Sequence, residues 1–200
     1  MASIYHLKPA FQGFLRPLTQ RLANRGITAN QVTVFAALLS MISASLIVLF
    51  PTHNWPLALV APVLLVRMAL NAIDGMLARE HNMQSDLGTF LNELGDVIAD
   101  IALYLPLALV PGIPAMLVVA VVIASVITEM TGVISVMIGG QRRYDGPMGK
   151  SDRAFVLGLL TLLLGFGVHA AAWSTALLSG VLLLSVLTIY RRIAAALACH

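Results

Sequence analysis

The stretch NAIDGMLAREHNMQSDLGTFLNELGD, residues 71–96, places Asp74, Arg79, Glu93 and Asp96 beside long apolar runs. A charged side chain at the centre of a bilayer costs about 2.5–3.5 kcal/mol on insertion scales, so such a residue is a candidate for function. A polar loop between two membrane helices explains only part of the stretch, because its last acidic residue lies well inside the apolar run that follows.

The composition is typical of a membrane protein. Of the 200 residues, 59% are hydrophobic and 10% are charged, whereas soluble domains carry about 25% charged residues. A helix needs about 20 apolar residues to cross the hydrocarbon core. The runs that approach this length are 30–52, 55–79, 86–110, 113–139, 153–172 and 174–190. We therefore predict an all-α integral membrane protein with six transmembrane helices, in which residues 29–200 form the bundle of a single domain spanning 1–200.

The positions of Lys and Arg predict the orientation of these helices. Most of them precede the first run, lie between the fourth and fifth, or follow the sixth; the alternate connections PTHNW (51–55), PGIP (111–114) and HAAAWS (169–174) contain none. Positive charge stays on the cytoplasmic side, so both termini and the opening stretch are predicted to face the cytoplasm. We expect a multi-pass protein of the cell (inner) membrane, in contact with membrane lipids and not with nucleic acid.

Residues 1–28 show the pattern of an amphipathic interfacial helix. Apolar residues recur at steps of three or four with basic residues between them, as in helices that lie in the membrane interface. The apolar positions are Ile4, Leu7, Phe11, Phe14, Leu18 and Leu22. Such a segment lies in the interface or packs as a lid on the cytoplasmic end of the bundle, and Pro17 is expected to bend or break it.

Oxygen-bearing side chains recur at helical spacing in the second and third runs. Asn71 and Asp74 are three apart and share one face, and Asn92 and Asp96 are four apart and share another. With Asp86 as the expected N-cap of the third helix, Asp96 lies on the order of 15 Å along it, too deep for a loop residue. Two opposed faces of carboxylate and amide oxygens suit a hard divalent cation such as Mg²⁺.

The neighbouring residues favour a phosphate-bearing ligand. Gly75 and Ala78 lack bulk, so a ligand can approach the backbone, and Gly88 has the same property at the start of the third run. Arg79 supplies a planar fork of donors that suits a phosphate group. The stretch therefore predicts a pocket, open to the cytoplasm, for a phosphate-bearing ligand with one or two metal ions.

This arrangement resembles the signature of the CDP-alcohol phosphatidyltransferase family, D-x2-D-G-x2-A-R-x8-G-x3-D-x3-D. Every spacing is kept and six of the eight identities match. The signature covers only 26 residues, although the layout of apolar runs is similar over most of the chain. The corresponding positions are Asn71, Asp74, Gly75, Ala78, Arg79, Gly88, Asn92 and Asp96.

The resemblance implies a reaction and a set of roles. Members transfer a substituted phosphate from a CDP-linked alcohol, often CDP-diacylglycerol, to an acceptor hydroxyl and release CMP. It implies one or two Mg²⁺ or Mn²⁺ ions, a CDP-lipid donor, a small alcohol acceptor and a homodimer. Asp96 would be catalytic, as the general base. The metal ligands would be Asn71, Asp74, Asn92 and Asp96, and the nucleotide and diphosphate contacts would be Asp74, Gly75, Ala78, Arg79 and Gly88.

Two of the four aspartate positions of the signature, 71 and 92, hold asparagine. An amide oxygen can ligate Mg²⁺ but adds no charge, so the set carries two negative charges where the signature carries four. Three alternatives follow. The chain is an enzyme with weaker or single metal binding, an enzyme in which Glu93 and Asp100 act as auxiliary carboxylates, or a non-catalytic member that binds CDP-lipid or nucleotide.

Three further charges, Arg67, Asp100 and Glu129, are expected at comparable depth in the second, third and fourth runs. Unpaired charges are rare inside membranes, so a buried ion pair among them is the structural explanation and is favoured over metal ligation by Asp100. The same charges would line the pathway of a transporter. That alternative is weakened because the charges cluster toward one side of the membrane.

The connection IGGQRRYDGPMGKSDRAF, residues 138–155, is rich in glycine and is predicted to be a cytoplasmic loop. Lys150 and Arg153 lie near the expected pocket mouth; the resemblance implies contact with phosphate on the acceptor or donor, and topology alone explains them equally well. Asn30 and Thr33, at the start of the first run, could touch the nucleotide or simply begin a helix.

Overall fold

The computed structural model describes residues 8–198, in which no strand occurs. Seven α-helices and one 3-10 helix make up this part of the chain. They are α1 (Lys8–Asn24), α2 (Ala29–Leu49), α3 (Asn54–Glu80), α4 (Asp86–Tyr104), the 3-10 helix (Leu105–Leu109), α5 (Ala115–Met137), α6 (Lys150–Gly165) and α7 (Ala172–Leu197). The all-α prediction is confirmed, and each predicted apolar run corresponds to one of the helices α2 to α7.

Within residues 8–198, four helices, α2, α3, α5 and α7, are long and apolar enough to cross a membrane. α4 carries four acidic residues. α6 has 16 residues, which gives about 24 Å at 1.5 Å per residue, whereas the hydrocarbon core is about 30 Å thick. Among α2 to α7, α4 and α6 are therefore the two helices least suited to contact with lipid.

Local sequence sets where the helices of the motif begin. α4 begins after Ser85, whose hydroxyl accepts a hydrogen bond from the Gly88 N–H at 2.9 Å. The prediction of Asp86 as the N-cap was therefore wrong by one residue. Asp86 lies instead in the first turn, where a negative charge interacts favourably with the helix dipole. α2 begins after Thr28, which forms a capping box with Gln31.

α6 ends earlier than its predicted run, at Gly165. Gly167 adopts φ +89°, and its N–H bonds to the Leu164 carbonyl while the Val168 N–H bonds to the Leu163 carbonyl, both at 3.0 Å. This pair of bonds is a Schellman motif, which ends a helix at a residue without a Cβ. α4 also ends early, because a proline follows it in the 3-10 helix.

Apolar side chains pack in two main clusters, and α3 contributes to both. The larger cluster lies toward the C-terminal ends of α2 and α6 and includes Ile47, Leu57 and Leu160. The smaller cluster includes Ile73 and Leu77 and joins α3 to α1 and α2. Many large apolar side chains on the outer faces remain exposed, as expected for surfaces in contact with lipid.

α1 packs on α3 with one face and leaves the other face open. Leu15 is buried in the smaller cluster, and Arg16 donates two hydrogen bonds, of 2.9 and 3.2 Å, to Glu80. Phe14 lies on the open face with 82% of its surface exposed. The predicted lid packing is confirmed for the first face, and contact of the second face with lipid stays a prediction.

Pro17 does not break α1, contrary to our expectation. The helix runs continuously through it, although Pro17 cannot donate the backbone hydrogen bond of its turn. Leu15 and Thr19, on either side of it, are both buried, and this packing holds the two halves in one helix. The predicted apolar positions Ile4 and Leu7 lie outside the described residues.

Gly165→Ala is expected to destabilise the bundle by about 1–3 kcal/mol, the usual cost of overpacking. A Cβ at Gly165 would lie 2.5 Å from the Ala58 backbone nitrogen and 2.6 Å from its Cα, so α3 and α6 would have to separate. Thermal unfolding in detergent micelles measures the change. The matched control is Gly180→Ala in α7, where a Cβ meets nothing within 4 Å and helix propensity favours alanine. Equal melting temperatures for the two variants would contradict this packing.

Candidate active site

α3 and α4 bring the two halves of the motif into direct contact. The Asn71 side-chain amide donates a hydrogen bond of 2.9 Å to Asp96 Oδ1. Asp74 follows Asn71 by one helical turn and is 3% exposed. The predicted contact between the two halves is therefore present for Asn71 and Asp96. Contacts between side chains, rather than an open chamber, fill the space at Asp96.

Asp74 has one satisfied and one open carboxylate oxygen. Thr33 on α2 donates its hydroxyl to Oδ2 at 2.8 Å. The neighbouring Gly75 N–H attracts the carboxylate electrostatically, but no donor in residues 8–198 meets Oδ1 with hydrogen-bond geometry, although this atom is buried. Because buried carboxylate oxygens are nearly always paired, Oδ1 is an acceptor suited to an external cation or donor.

Asp96 is held by donors on both of its carboxylate oxygens. Oδ1 accepts from Asn71 and, at 3.4 Å, from Arg67. Arg67 also donates to the Asp96 backbone carbonyl at 2.9 Å, and Lys150 forms an ion pair with Oδ2. Lys150 thus lies at the candidate site, as the sequence suggested. Its contact with a substrate phosphate stays a prediction.

Asp100 belongs to a buried ion-pair network. Arg67 lies 2.5 Å from Asp100 Oδ1. Arg153 lies 3.6 Å from Asp100 Oδ2 and 2.9 Å from Glu129 Oε1, and it donates to the Met148 carbonyl at 3.1 Å. The predicted association of Arg67, Asp100 and Glu129 is present, but Arg153 joins its two ends. Arg153 has no exposed surface, so the structure does not support its predicted position at the pocket mouth; three carbonyl and carboxylate oxygens keep it inside.

Glu129 is the acidic centre of the α5, α6 and α7 interface. In addition to Arg153, it pairs with Arg142 at 3.3 Å and with Arg192 at 3.7 Å. Arg142 also pairs with Glu93, so Glu93, like Asp100, already has a cationic partner. These contacts favour a structural role for both residues that we had considered as auxiliary carboxylates.

The predicted nucleotide positions lie at the starts and ends of the motif helices. A Cβ at Gly88 would lie 2.7 Å from Asn30 Oδ1, and a Cβ at Gly75 would lie 3.0 Å from Arg79 Nη2. Both glycines therefore leave room for polar side chains. Arg79 is exposed and free to rotate toward a ligand, and Ala78 is half-buried beside it. Asn92 is also half-buried, one turn before Asp96 on α4.

Two cavities lie beside the motif rather than within it. One, of about 10 Å³, lies between α4 and α5 and is lined by Asp100, Tyr104 and Glu129 among others; this is room for about one water molecule. The other is an open groove of about 400 Å³ on α2, with Asn30 and Phe35 in its wall. The groove begins at the end of α2 that carries Thr33.

The donor set fits a divalent cation in part. Within the described residues, no group of three or more His, Cys, Asp and Glu side chains could hold a metal ion. The motif instead offers two carboxylates and two amides, which are hard oxygen ligands of the kind that Mg²⁺ accepts. The open Oδ1 of Asp74 is the atom best placed for such an ion.

Sequence reasoning missed how tightly Asp96 is held. Arg67 was predicted to pair with Asp100 but also contacts Asp96, one turn earlier on α4. The sequence is compatible with Thr33 as a ligand contact or as part of a helix start, and the structure shows it as the hydrogen-bond partner of Asp74. A signal was available for Thr33, since a hydroxyl one turn inside the first helix faces the bundle rather than lipid.

The sequence model of the CDP-alcohol phosphatidyltransferase family matches residues 26–189. The inner membrane protein YnbA of Escherichia coli (strain K12) is 44% identical over 178 residues, which is 88% of each chain. Both matches cover the helices of the motif.

Two solved structures share the fold. The Mycobacterium tuberculosis phosphatidylinositol phosphate synthase with CDP-DAG bound has a TM-score of 0.74 at 19% identity, over 90% of this chain and 92% of that chain. The same synthase with manganese and citrate has a TM-score of 0.75 at 20% identity, over 90% and 87%. At these identities the likeness concerns the fold alone.

Proposed function

Because the chain belongs to the CDP-alcohol phosphatidyltransferase family, we propose that it transfers a phosphatidyl group from CDP-diacylglycerol to the hydroxyl of a small polar acceptor and releases CMP. The observation that carries this proposal is that Asp74, a buried carboxylate with one open oxygen, lies one helical turn from Asn71, which donates a hydrogen bond to Asp96. The CDP-DAG bound to a protein of the same fold supports the choice of donor.

In the proposed reaction, Asp96 accepts the proton of the acceptor hydroxyl. The acceptor oxygen then bonds to the lipid-side phosphorus, and the bond from that phosphorus to the oxygen shared with CMP breaks, so CMP leaves with the electron pair. Lys150 and Arg67 contact the Asp96 carboxylate and hold it in position for this step.

The remaining motif residues bind and orient the donor. Arg79 donates to the diphosphate, and Gly75 and Gly88 leave the backbone accessible. A divalent cation held by Asp74, with the amides of the motif, would neutralise the diphosphate and stabilise the leaving oxygen.

We also propose that all six helices α2 to α7 span the inner membrane, with both termini and the active site on the cytoplasmic side. In residues 8–198, the basic residues outside the helices are Arg25, which precedes α2, and Arg142 and Arg143, which precede α6; this placement agrees with the positive-inside rule. The name of the Escherichia coli relative supports the inner membrane. A homodimer remains a prediction from the resemblance.

A non-catalytic CDP-lipid or nucleotide binder is the second candidate function. Two observations favour it. Asparagine replaces two aspartates of the signature. Lys150 forms an ion pair with Asp96, the carboxylate that would act as the general base. Such a protein would bind CDP-diacylglycerol without releasing CMP.

The purified protein in lipid nanodiscs, given CDP-diacylglycerol, Mn²⁺ and a mixture of polar alcohols, is expected to release CMP and form a new phospholipid. Chelation by EDTA should abolish both, and excess Mn²⁺ should restore them. CMP would be measured by chromatography and the lipid by mass spectrometry, which also identifies the acceptor. Tight donor binding with no CMP release across a broad set of alcohols would select the non-catalytic binder.

A further inference from the structure

The two carboxylates of the site differ in what occupies them. Asp74 uses Oδ2 to accept from Thr33 and keeps a buried Oδ1 open. Asp96 has no such vacancy, since Asn71 and Arg67 reach its Oδ1 and Lys150 pairs with its Oδ2. Asp74 can therefore bind an external cation, whereas Lys150 already provides a positive charge at Asp96.

We propose that the site binds one divalent cation, at Asp74, and that the Lys150 ammonium takes the position of a second cation at Asp96. This inference deepens the proposed function and rests on it, because Lys150 would then meet the donor diphosphate directly. A lysine ammonium is a compact charge with three donors and binds phosphate as a point charge.

The charge of the site agrees with this assignment. Asparagine at 71 and 92 leaves two carboxylates in the motif, enough to balance one divalent ion and too few to balance two. A second divalent ion at Asp96 would also face Lys150 and Arg67 at close range, where like charges repel. Compared with a site of four aspartates that holds two divalent ions, this site therefore has asparagine at 71 and 92, one divalent ion, and the Lys150 ammonium in place of the second ion.

Lys150 is anchored well enough for this role. It is the first residue of α6, and that end of the helix is fixed by a hydrogen bond of 3.1 Å from the Gly149 N–H to Asp152. Arg153, one turn later, is buried against Glu129 and Asp100. The Lys150 side chain itself is 28% exposed, so its backbone is held while the ammonium can turn from Asp96 to a phosphate.

The test counts Mn²⁺ ions on the full-length protein in detergent micelles, from the loss of the free-ion signal in electron paramagnetic resonance. We expect one Mn²⁺ per chain with no dipolar broadening. Asp74→Asn should bind none, and Asp86→Asn, a matched change at an exposed position of α4, should still bind one. Two ions on the unmodified chain, or none, would overturn the proposal whether or not CMP is released.

A triple variant tests the exchange of lysine for metal. N71D/N92D/K150M restores the carboxylates and removes the ammonium, and it should bind two Mn²⁺ with mutual dipolar broadening. N71D/N92D, which keeps Lys150, should bind its second ion at least 10-fold more weakly than the triple variant. Equal affinity in the two variants would show that Lys150 does not occupy the second position. If these variants do not fold, the number of Mn²⁺ ions bound by the unmodified chain still tests whether the site holds one divalent cation.

Lys150→Met separates this inference from the proposed function. It should keep one Mn²⁺, while CMP release falls about 10²-fold, as when one donor to a developing charge is removed. Loss of the ion would refute the assignment of Lys150. If the unmodified chain binds one Mn²⁺ but releases no CMP with any acceptor, the proposed function fails and the metal count stands.

Discussion

Asp96→Asn is expected to lower the rate of CMP release by about 10³-fold, within the range contributed by a general base. The amide has nearly the same shape and its oxygen can still accept from Asn71 or Lys150, so the interface of α3 and α4 should survive. It cannot take the proton of the acceptor hydroxyl. Initial rates at saturating CDP-diacylglycerol and Mn²⁺ measure the effect.

The control for this experiment is Asp86→Asn, the same chemical change on the same helix at an exposed side chain. Its rate should stay within a factor of two of the unmodified protein, and the melting temperatures of both variants should match it. A rate for Asp96→Asn within 10-fold of the unmodified protein would remove Asp96 from the role of base and return attention to the non-catalytic alternative.

Glu129→Gln is expected to destabilise the protein by about 3–5 kcal/mol, the cost of removing one partner from a buried ion pair. Arg153 and Arg192 are 0% and 1% exposed, and both would lose the carboxylate that balances them. A loss of this size lowers a melting temperature by on the order of 10 °C in a chain of this length. Thermal unfolding in detergent micelles, followed by circular dichroism, measures it.

Glu80→Gln is the matched control, because it removes a carboxylate from an ion pair that water reaches. Arg16 and Glu80 have side chains that are 60% and 39% exposed, and exposed pairs contribute little to stability. No measurable change in melting temperature is expected. Equal effects from Glu80→Gln and Glu129→Gln would mean that the Glu129 network is hydrated rather than buried.

The contact between the motif halves could be predicted because it depends on local periodicity. Spacings of three and four place Asn71 and Asp74 on one helical face and Asn92 and Asp96 on another, and the cost of burying charge directs both faces inward. The structure confirms this with a direct hydrogen bond from Asn71 to Asp96. The same reasoning identified the pairing of Arg67 with Asp100.

The partners of the cations could not be predicted in the same way. Lys150 and Arg153 are three residues apart at the start of α6. Lys150 forms an ion pair with Asp96, whereas Arg153 is buried against Glu129. Which acid each one meets depends on how α6 packs against α3, a tertiary contact that periodicity does not encode. The short α6 escaped prediction for a related reason, since its end is set by the backbone of Gly167 rather than by a change in hydrophobicity.

The Glu129 network also imposes an order on biogenesis. The ribosome makes α5 before α6 and α7, so Glu129 enters the membrane before Arg153 and Arg192 have been synthesised. Until α6 and α7 have been synthesised, Glu129 lacks Arg153 and Arg192, two of the cations that balance its charge. We therefore expect a chain truncated before α7 to leave Glu129 without the buried counter-ion that Arg192 supplies, and to be less stable than the full chain.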